Sequence, residues 1–337
     1  MNVLRSLMPG WRWVLCALAI GLAIAAAWPA YGAISGKRWT IVPTDYVSDL
    51  SFDGSGTMWA KGYYNKIYSL QPATDTLTTW THANNDILGA NHYGMAVVSP
   101  ANANHVWATA VSLNHVNRLD VSSGQLLSWA FPASTTCAEA KNLAVDSTGS
   151  AWFGKNDSKI AQLDPATNML KEWPMPTGGT YCPQVVASEG SGASQKVWFC
   201  EATIDKIGYL APSTGSVTEW TIPGNPAVFN SCNPPVGGKI WFSHSTAQVR
   251  RLDTATNELS TWACQMGCGI VYGISQESAG KVWFSDATDL ISFDPVAAQF
   301  VEYTGLGCGV YSPFVDGSGN IWTTQNGGTL ICRFPPP

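Results

Sequence analysis

A chain of 337 residues admits either two ordinary domains or one large all-β unit. Its net charge of -5 and the absence of any Lys/Arg run exclude the electrostatic footprint of a nucleic-acid binder. Charged residues are only 12% of the chain while aromatics reach 11%, with 16 Trp, which calls for much buried sheet surface under a weakly charged exterior.

The N-terminus carries Arg5 and Arg12, an apolar run from Trp13 to Trp28, and then Pro29-Ala30-Tyr31-Gly32-Ala33. Small residues at these offsets predict a secretory signal peptide over residues 1–32. The rival is an uncleaved membrane anchor, but the apolar core falls short of the roughly 20 residues a spanning helix prefers. A secreted or periplasmic protein is therefore expected. Cys16 lies inside this run behind the bulky Leu15 and does not read as a lipidation site.

Beyond the leader the chain repeats itself. Trp59, Trp107, Trp152, Trp198, Trp241, Trp283 and Trp322 recur at intervals of 39 to 48 residues, and Trp80, Trp129, Trp173, Trp220, Trp262 and Tyr303 follow the first six. The copy at Trp198 is the most regular: a strand through Trp198-Phe199-Cys200-Glu201, another through Lys206 to Leu210, the turn Pro212-Ser213-Thr214-Gly215, and a strand through Val217 to Pro223. Seven such copies predict an all-β, seven-bladed β-propeller of four-stranded blades over residues 36–334.

The seventh copy ends without its outer aromatic strand. Arg38-Trp39-Thr40-Ile41-Val42-Pro43 matches Glu219-Trp220-Thr221-Ile222-Pro223 yet precedes the first copy. It is expected to close the last blade beside Ile331, which removes the open edge of the ring. Inner strands are expected at 48–52, 94–98, 142–146, 184–188, 234–237, 272–276 and 313–316. Turns such as Asp53-Gly54-Ser55-Gly56 lead from them into the Trp strands. These turns share one face of the ring, called here the turn face. The ends of the Trp strands share the opposite, strand-end face.

Trp-Phe-x-(Glu/His/Asp), Lys-Ile-Gly-x-Leu-x-Pro-x-Thr-Gly and Thr-Glu-Trp-x-Ile-Pro together resemble the blade repeat of the virginiamycin B lyase (streptogramin B lyase) family. The resemblance implies a seven-bladed propeller that opens a cyclic depsipeptide by elimination, with Mg2+ and a histidine base on one face. The family's histidines fall in a Pro-His-x-Ile segment at the start of inner strands. Here those positions are Ser48, Tyr93, Lys141, Pro183, Tyr272 and Ser312, and the nearest histidine, His92, is one residue off register.

The third residue after each Trp gives Gly62, Ala110, Lys155, Glu201, His244, Asp286 and Gln325. Glu201, His244 and Asp286 are thus candidates for a divalent-metal or acid/base set at the channel mouth, with His244 and Glu201 the candidate catalytic pair. The competing reading is a ring of solvated strand ends. Lys155, Tyr93 and Tyr272 are candidate ligand contacts, and Asp86 to Tyr93 could wall a pocket. His82, His92, His105 and His115 crowd the second copy or its approach and otherwise fit ordinary loop polarity.

Eight cysteines follow the leader: Cys137, Cys182, Cys200, Cys232, Cys264, Cys268, Cys308 and Cys332. Disulfides are expected rather than a thiolate metal site, with Cys264 and Cys268 able to pair and the remaining connectivity open. Cys332 aligns with Gly208 and is expected as a small buried packing residue. No phosphate-binding Gly-rich loop, Gly-x-Ser-x-Gly elbow or His-Glu-x-x-His motif is present. Two readings stand: a lyase acting on a cyclic or lactone-like substrate, or a non-catalytic propeller that binds a small molecule, glycan or protein. Either is expected as a monomer.

Overall fold

The computed structural model describes residues 30–32, 34–41, 45–62, 66–81, 96–110, 115–131, 143–155, 157–176, 183–201, 204–223, 232–244, 247–264, 273–275, 277–286, 288–325 and 328–337. Within these, the side chains of residues 30–32, 48, 110 and 244 are not described. Most of the expected leader lies outside these residues, as do Tyr93, Tyr272, His82, His92, Cys137, Cys182 and Cys268.

Two short strands, β1 (Ala30–Gly32) and β2 (Lys37–Thr40), precede the ring. Blade 1 is β3 (Val47–Phe52), β4 (Met58–Gly62), β5 (Lys66–Gln71) and β6 (Thr76–Thr81). Blade 2 is β7 (Ala96–Ser99), β8 (Asn102–Ala110), β9 (His115–Asp120) and β10 (Leu126–Ala130). Blade 3 is β11 (Leu143–Val145), β12 (Ala151–Lys155), β13 (Lys159–Asp164) and β14 (Met169–Pro174). Blade 4 is β15 (Gln184–Glu189), β16 (Lys196–Glu201), β17 (Lys206–Ala211) and β18 (Ser216–Thr221).

Blade 5 has three regular strands among the described residues, β19 (Lys239–His244), β20 (Gln248–Asp253) and β21 (Glu258–Ala263). In place of an inner strand, Cys232 bridges Phe242 and Val236 bridges Lys239 as isolated pairs. Blade 6 is β22 (Gly273–Ile274), β23 (Val282–Ser285), β24 (Leu290–Asp294) and β25 (Gln299–Tyr303). β1 adds to its outer edge in parallel, with Tyr31 opposite Glu302. Residues read from the sequence as the leader's cleavage region thus lie in a sheet.

Blade 7 is β26 (Phe314–Val315), β27 (Ile321–Thr324) and β28 (Leu330–Phe334), closed on its outer side by β2. Trp39 lies opposite Ile331 in an antiparallel pair, the closure expected from the sequence. Head and tail of the domain therefore share one sheet, and the ring has no seam that fraying at one terminus alone could open.

The core is divided into seven clusters, each between two blades. Trp59 packs with Ala96, Val106 and Leu119 of blade 2, and Trp322 packs with Met58, Ala60 and Tyr68 of blade 1. Every repeat Trp thus faces the following blade. Because side chains alternate along a strand, the residues one and three positions later face the preceding blade. In six blades the Trp also stacks on its outer-strand aromatic, at 5.3 Å for Trp59–Trp80 and 5.2 Å for Trp152–Trp173, and in blade 6 Trp283 lies tilted against Tyr303. Such pairs contribute ~0.5–1.5 kcal/mol beyond the area they bury. In blades 2, 5 and 7 an arginine of the third strand, Arg118, Arg251 or Arg333, lies beside both rings, so part of the small charge complement serves the core.

Three blades repeat one turn in full. The Asp53 carboxylate accepts the backbone N–H groups of Ser55 and Thr57 with one oxygen and the Trp59 indole, at 3.0 Å, with the other. Asp146 holds Trp152 at 2.8 Å and Asp316 holds Trp322 at 2.7 Å in the same way. Gly56, Gly149 and Gly319 supply the positive φ each turn needs. Burial opposes ionisation of these three aspartates, but the hydrogen bonds outweigh it and hold their carboxyls below the ordinary range.

Candidate functional site

On the strand-end face, blades 3, 4 and 6 carry charge at the same three template positions. In blade 3 these are Lys155 at the end of β12, Lys159 opposite it on β13, and Glu172 on β14. Lys155 is 6% exposed and its ammonium is engaged by Glu172, with Asp157 at 3.9 Å. Lys159 reaches Asp157 at 2.7 Å and Glu172 at 3.3 Å. Burial works against ionised Glu172, yet the two lysines hold its carboxyl lowered. The candidate ligand contact Lys155 is thus committed to an intramolecular ion-pair network.

Blade 4 inverts the charge. Glu201 ends β16 opposite Lys206 of β17, with Glu219 on β18. Lys206 donates to Glu219 at 2.6 Å. Glu201 is 1% exposed, and neither of its carboxyl oxygens has a hydrogen-bond partner among the described residues. Burial first, then the charge of Glu219, pushes its carboxyl up to about 7, with Lys206 pulling the other way. A carboxyl that takes and releases a proton near neutral pH is what general acid/base work requires.

Blade 6 keeps only acids. Asp286 lies with Asp289 and Glu302, one ligand atom from each falling within 4.8 Å of the others. Burial raises Glu302, and Asp289 and Asp286 add to the rise. Asp286 also accepts hydrogen bonds from Thr288 and from the backbone N–H of Asp289. Three hard oxygen donors with mutual repulsion fit a magnesium ion in donor type and charge.

Glu201 and His244 end the Trp strands of blades 4 and 5, and Asp286 follows that of blade 6. Glu201 keeps company with Lys206 and Glu219 of its own blade, and Asp286 with Asp289 and Glu302 of its own. His244 ends β19 between them in sequence, but its side chain lies outside the described residues. Of the other histidines described, His105 lies near Asp120 at 3.8 Å and His115 near Ser128 at 3.4 Å, neither beside Glu201.

One charged group was missed in the sequence. Lys61, two residues after Trp59, is fully buried, and burial lowers its amine to about 8 against the pull of Asp45. Asp45 is buried too, accepting from the Tyr68 hydroxyl at 2.5 Å with Lys66 at 3.6 Å. The signal was available: other blades carry Thr109, Gly154, Cys200, Ser243, Ser285 or Thr324 at that position, and a lysine stands out among them.

Cys200 is joined to Cys232 and Cys308 to Cys332. The first bond ties the end of a Trp strand to the segment entering blade 5. The second corrects the expectation for Cys332, which is 0% exposed and packed as foreseen but bonded rather than a simple space filler. Cys264 is also disulfide-bonded.

No protein-family model matches the chain, and no curated protein does. Solved structures do. Virginiamycin B lyase from Staphylococcus aureus aligns with TM-score 0.71 and 16% identity over 90% of this chain and 100% of that one. Its catalytically inactive histidine-to-alanine variant, with quinupristin, aligns at 0.73 and 16% over the same shares. A streptogramin B lyase aligns at 0.72 and 18%, over 90% of this chain and 99% of that one. A chain of the mitotic checkpoint complex also aligns, at 0.67 and 10%, so the shape alone does not carry an activity. What the alignments establish, with the seven sheets described above, is that this chain has the seven-bladed propeller fold of the streptogramin B lyases.

Proposed function

We propose that the protein is a lyase of the streptogramin type, opening a cyclic depsipeptide or lactone-like ester by carbon–oxygen elimination at the strand-end face, with Glu201 as proton acceptor. The observation that carries this reading is the Glu201 carboxyl: buried, unpartnered among the described residues, and raised to about 7. Glu201 takes a proton from the carbon next to the one bearing the ester oxygen. The electron pair forms a carbon–carbon double bond, and the carbon–oxygen bond breaks to release a carboxylate. No water is consumed. Burial first, then the charge of Glu219 against that of Lys206, sets the proton affinity of Glu201. A magnesium ion, when bound, supplies Lewis acidity toward an ester carbonyl, and Asp286, Asp289 and Glu302 are the residues that suit it.

An extracytoplasmic location accompanies this reading, supported by the leader pattern and by the bonded cysteines. The second reading, a propeller that only binds its ligand, is favoured by the lack of histidine at Ser48, Tyr93, Lys141, Pro183, Tyr272 and Ser312. Incubating purified protein with quinupristin and magnesium separates the two. Elimination gives a ring-opened product of unchanged mass, hydrolysis one heavier by a water, and binding alone no product. The proposal requires the first outcome and its loss in Glu201→Gln; turnover that survives in Glu201→Gln, or intact quinupristin, contradicts it.

A further inference from the structure

Among the described residues blade 5 has one regular strand fewer than its neighbours, and the place of that strand is taken by a segment fastened to three blades at once. Cys232 is bonded to Cys200 of blade 4 and bridges Phe242 of blade 5. The next residue, Asn233, donates its backbone N–H to Trp241 of blade 5 at 3.1 Å and its side-chain amide to the Ile274 carbonyl of blade 6 at 2.8 Å. Val236 and Lys239 exchange a pair of backbone hydrogen bonds at 2.9 and 3.0 Å. An inner strand in another blade has a ladder of such bonds: β15 pairs with β16 at five positions. Here two isolated bridges and one covalent bond stand in for the ladder.

We infer that the Cys200–Cys232 disulfide, both of whose cysteines are buried, is a local fastener: closed, it holds residues 232–236 as a substitute inner strand, and opened, it releases them and unties blades 4, 5 and 6 on their inner side. A small thiol opens it by exchange, the two protein sulfurs gaining hydrogen while the reagent is oxidised to its own disulfide. The consequence reaches the candidate site, since Glu201 directly follows Cys200 on β16. The inference concerns the scaffold of that face and stands whether the face catalyses or only binds.

Hydrogen exchange followed by mass spectrometry tests it on the full chain, before and after dithiothreitol, with alkylation confirming that Cys200 and Cys232 are free. Exchange at Asn233 and Val236 should rise about tenfold or more, because a tether across 32 residues has been removed. Blade 2, which contributes neither partner to the two described disulfides, should keep its protection. Cys232→Ser, which leaves Cys308–Cys332 intact, should reproduce the effect without thiol. Unchanged exchange at 232–236 with both sulfurs alkylated would overturn the inference. So would loss of protection spread equally over blade 2, which would make the bond a global brace rather than a local fastener.

Discussion

Blades 3 and 4 place three side chains at the same template positions and obtain opposite results. In blade 3 the residue ending the Trp strand is Lys155, and with Lys159 it neutralises Glu172 and Asp157. In blade 4 it is Glu201, and the one ammonium, Lys206, is already taken by Glu219. The repeat fixes where the groups sit; the sign of one charge decides whether the position is a closed ion-pair network or a buried carboxyl for which Lys206 does not outweigh burial and Glu219. Blade 6 goes further, with Asp286, Asp289 and Glu302 and no cation among them.

The largest effect should come from giving blade 3 the blade 4 residue. Lys155→Glu sets a third carboxylate beside Glu172 and Asp157 with only Lys159 to offset them. Removing one member of a largely buried pair and inserting a like charge costs about 3 kcal/mol. Chemical denaturation at neutral pH should report a loss of that order, and a loss below about 1 kcal/mol would mean that the network contributes no more than exposed pairs do.

A second contrast between blades lies on the outer turns. The Trp129 indole donates to Asn168 of blade 3 at 2.7 Å, and the Trp220 indole to Asn257 of blade 5 at 2.6 Å. Both asparagines have positive φ, where the outer turns of blades 2 and 4 carry Gly124 and Gly215 and so offer no acceptor side chain. Asn168→Gly keeps the backbone conformation and removes only the latch. It should cost at most about 1 kcal/mol, since a neutral hydrogen bond at a half-exposed site contributes little. No change in denaturation midpoint would mean that the latch is ornamental.

The fold was legible because it is periodic. The Trp spacing gave the blade number, and the displaced Arg38-Trp39-Thr40 motif gave the closure against β28. Blade 5 was harder to place, because residues 232–236 carry no alternation and are held by a disulfide and two bridges instead. The site was half legible. Counting three residues from each Trp found Glu201 and Asp286 but not their companions, since Glu219 and Glu302 sit on the fourth strand of their blades and Asp289 in the turn before β24. Lys61 escaped because it lies two residues after its Trp and so faces the opposite side of the sheet. Cys332 was read as a packing residue because nothing in its spacing points to Cys308, which only the closing of blade 7 brings near.

All of this turns on the proton of Glu201. Its folded pKa lies above the ordinary carboxyl value, so the neutral form contributes stability that is fully present below the unfolded pKa, near 4.5, and is lost as pH rises through about 7. Carbon-detected NMR of labelled protein, with Glu201 assigned by its absence in Glu201→Gln, reads that titration directly. The account predicts a carboxyl midpoint near 7; a midpoint near 4.5 would mean that Glu201 is an ordinary ionised carboxylate and would contradict it.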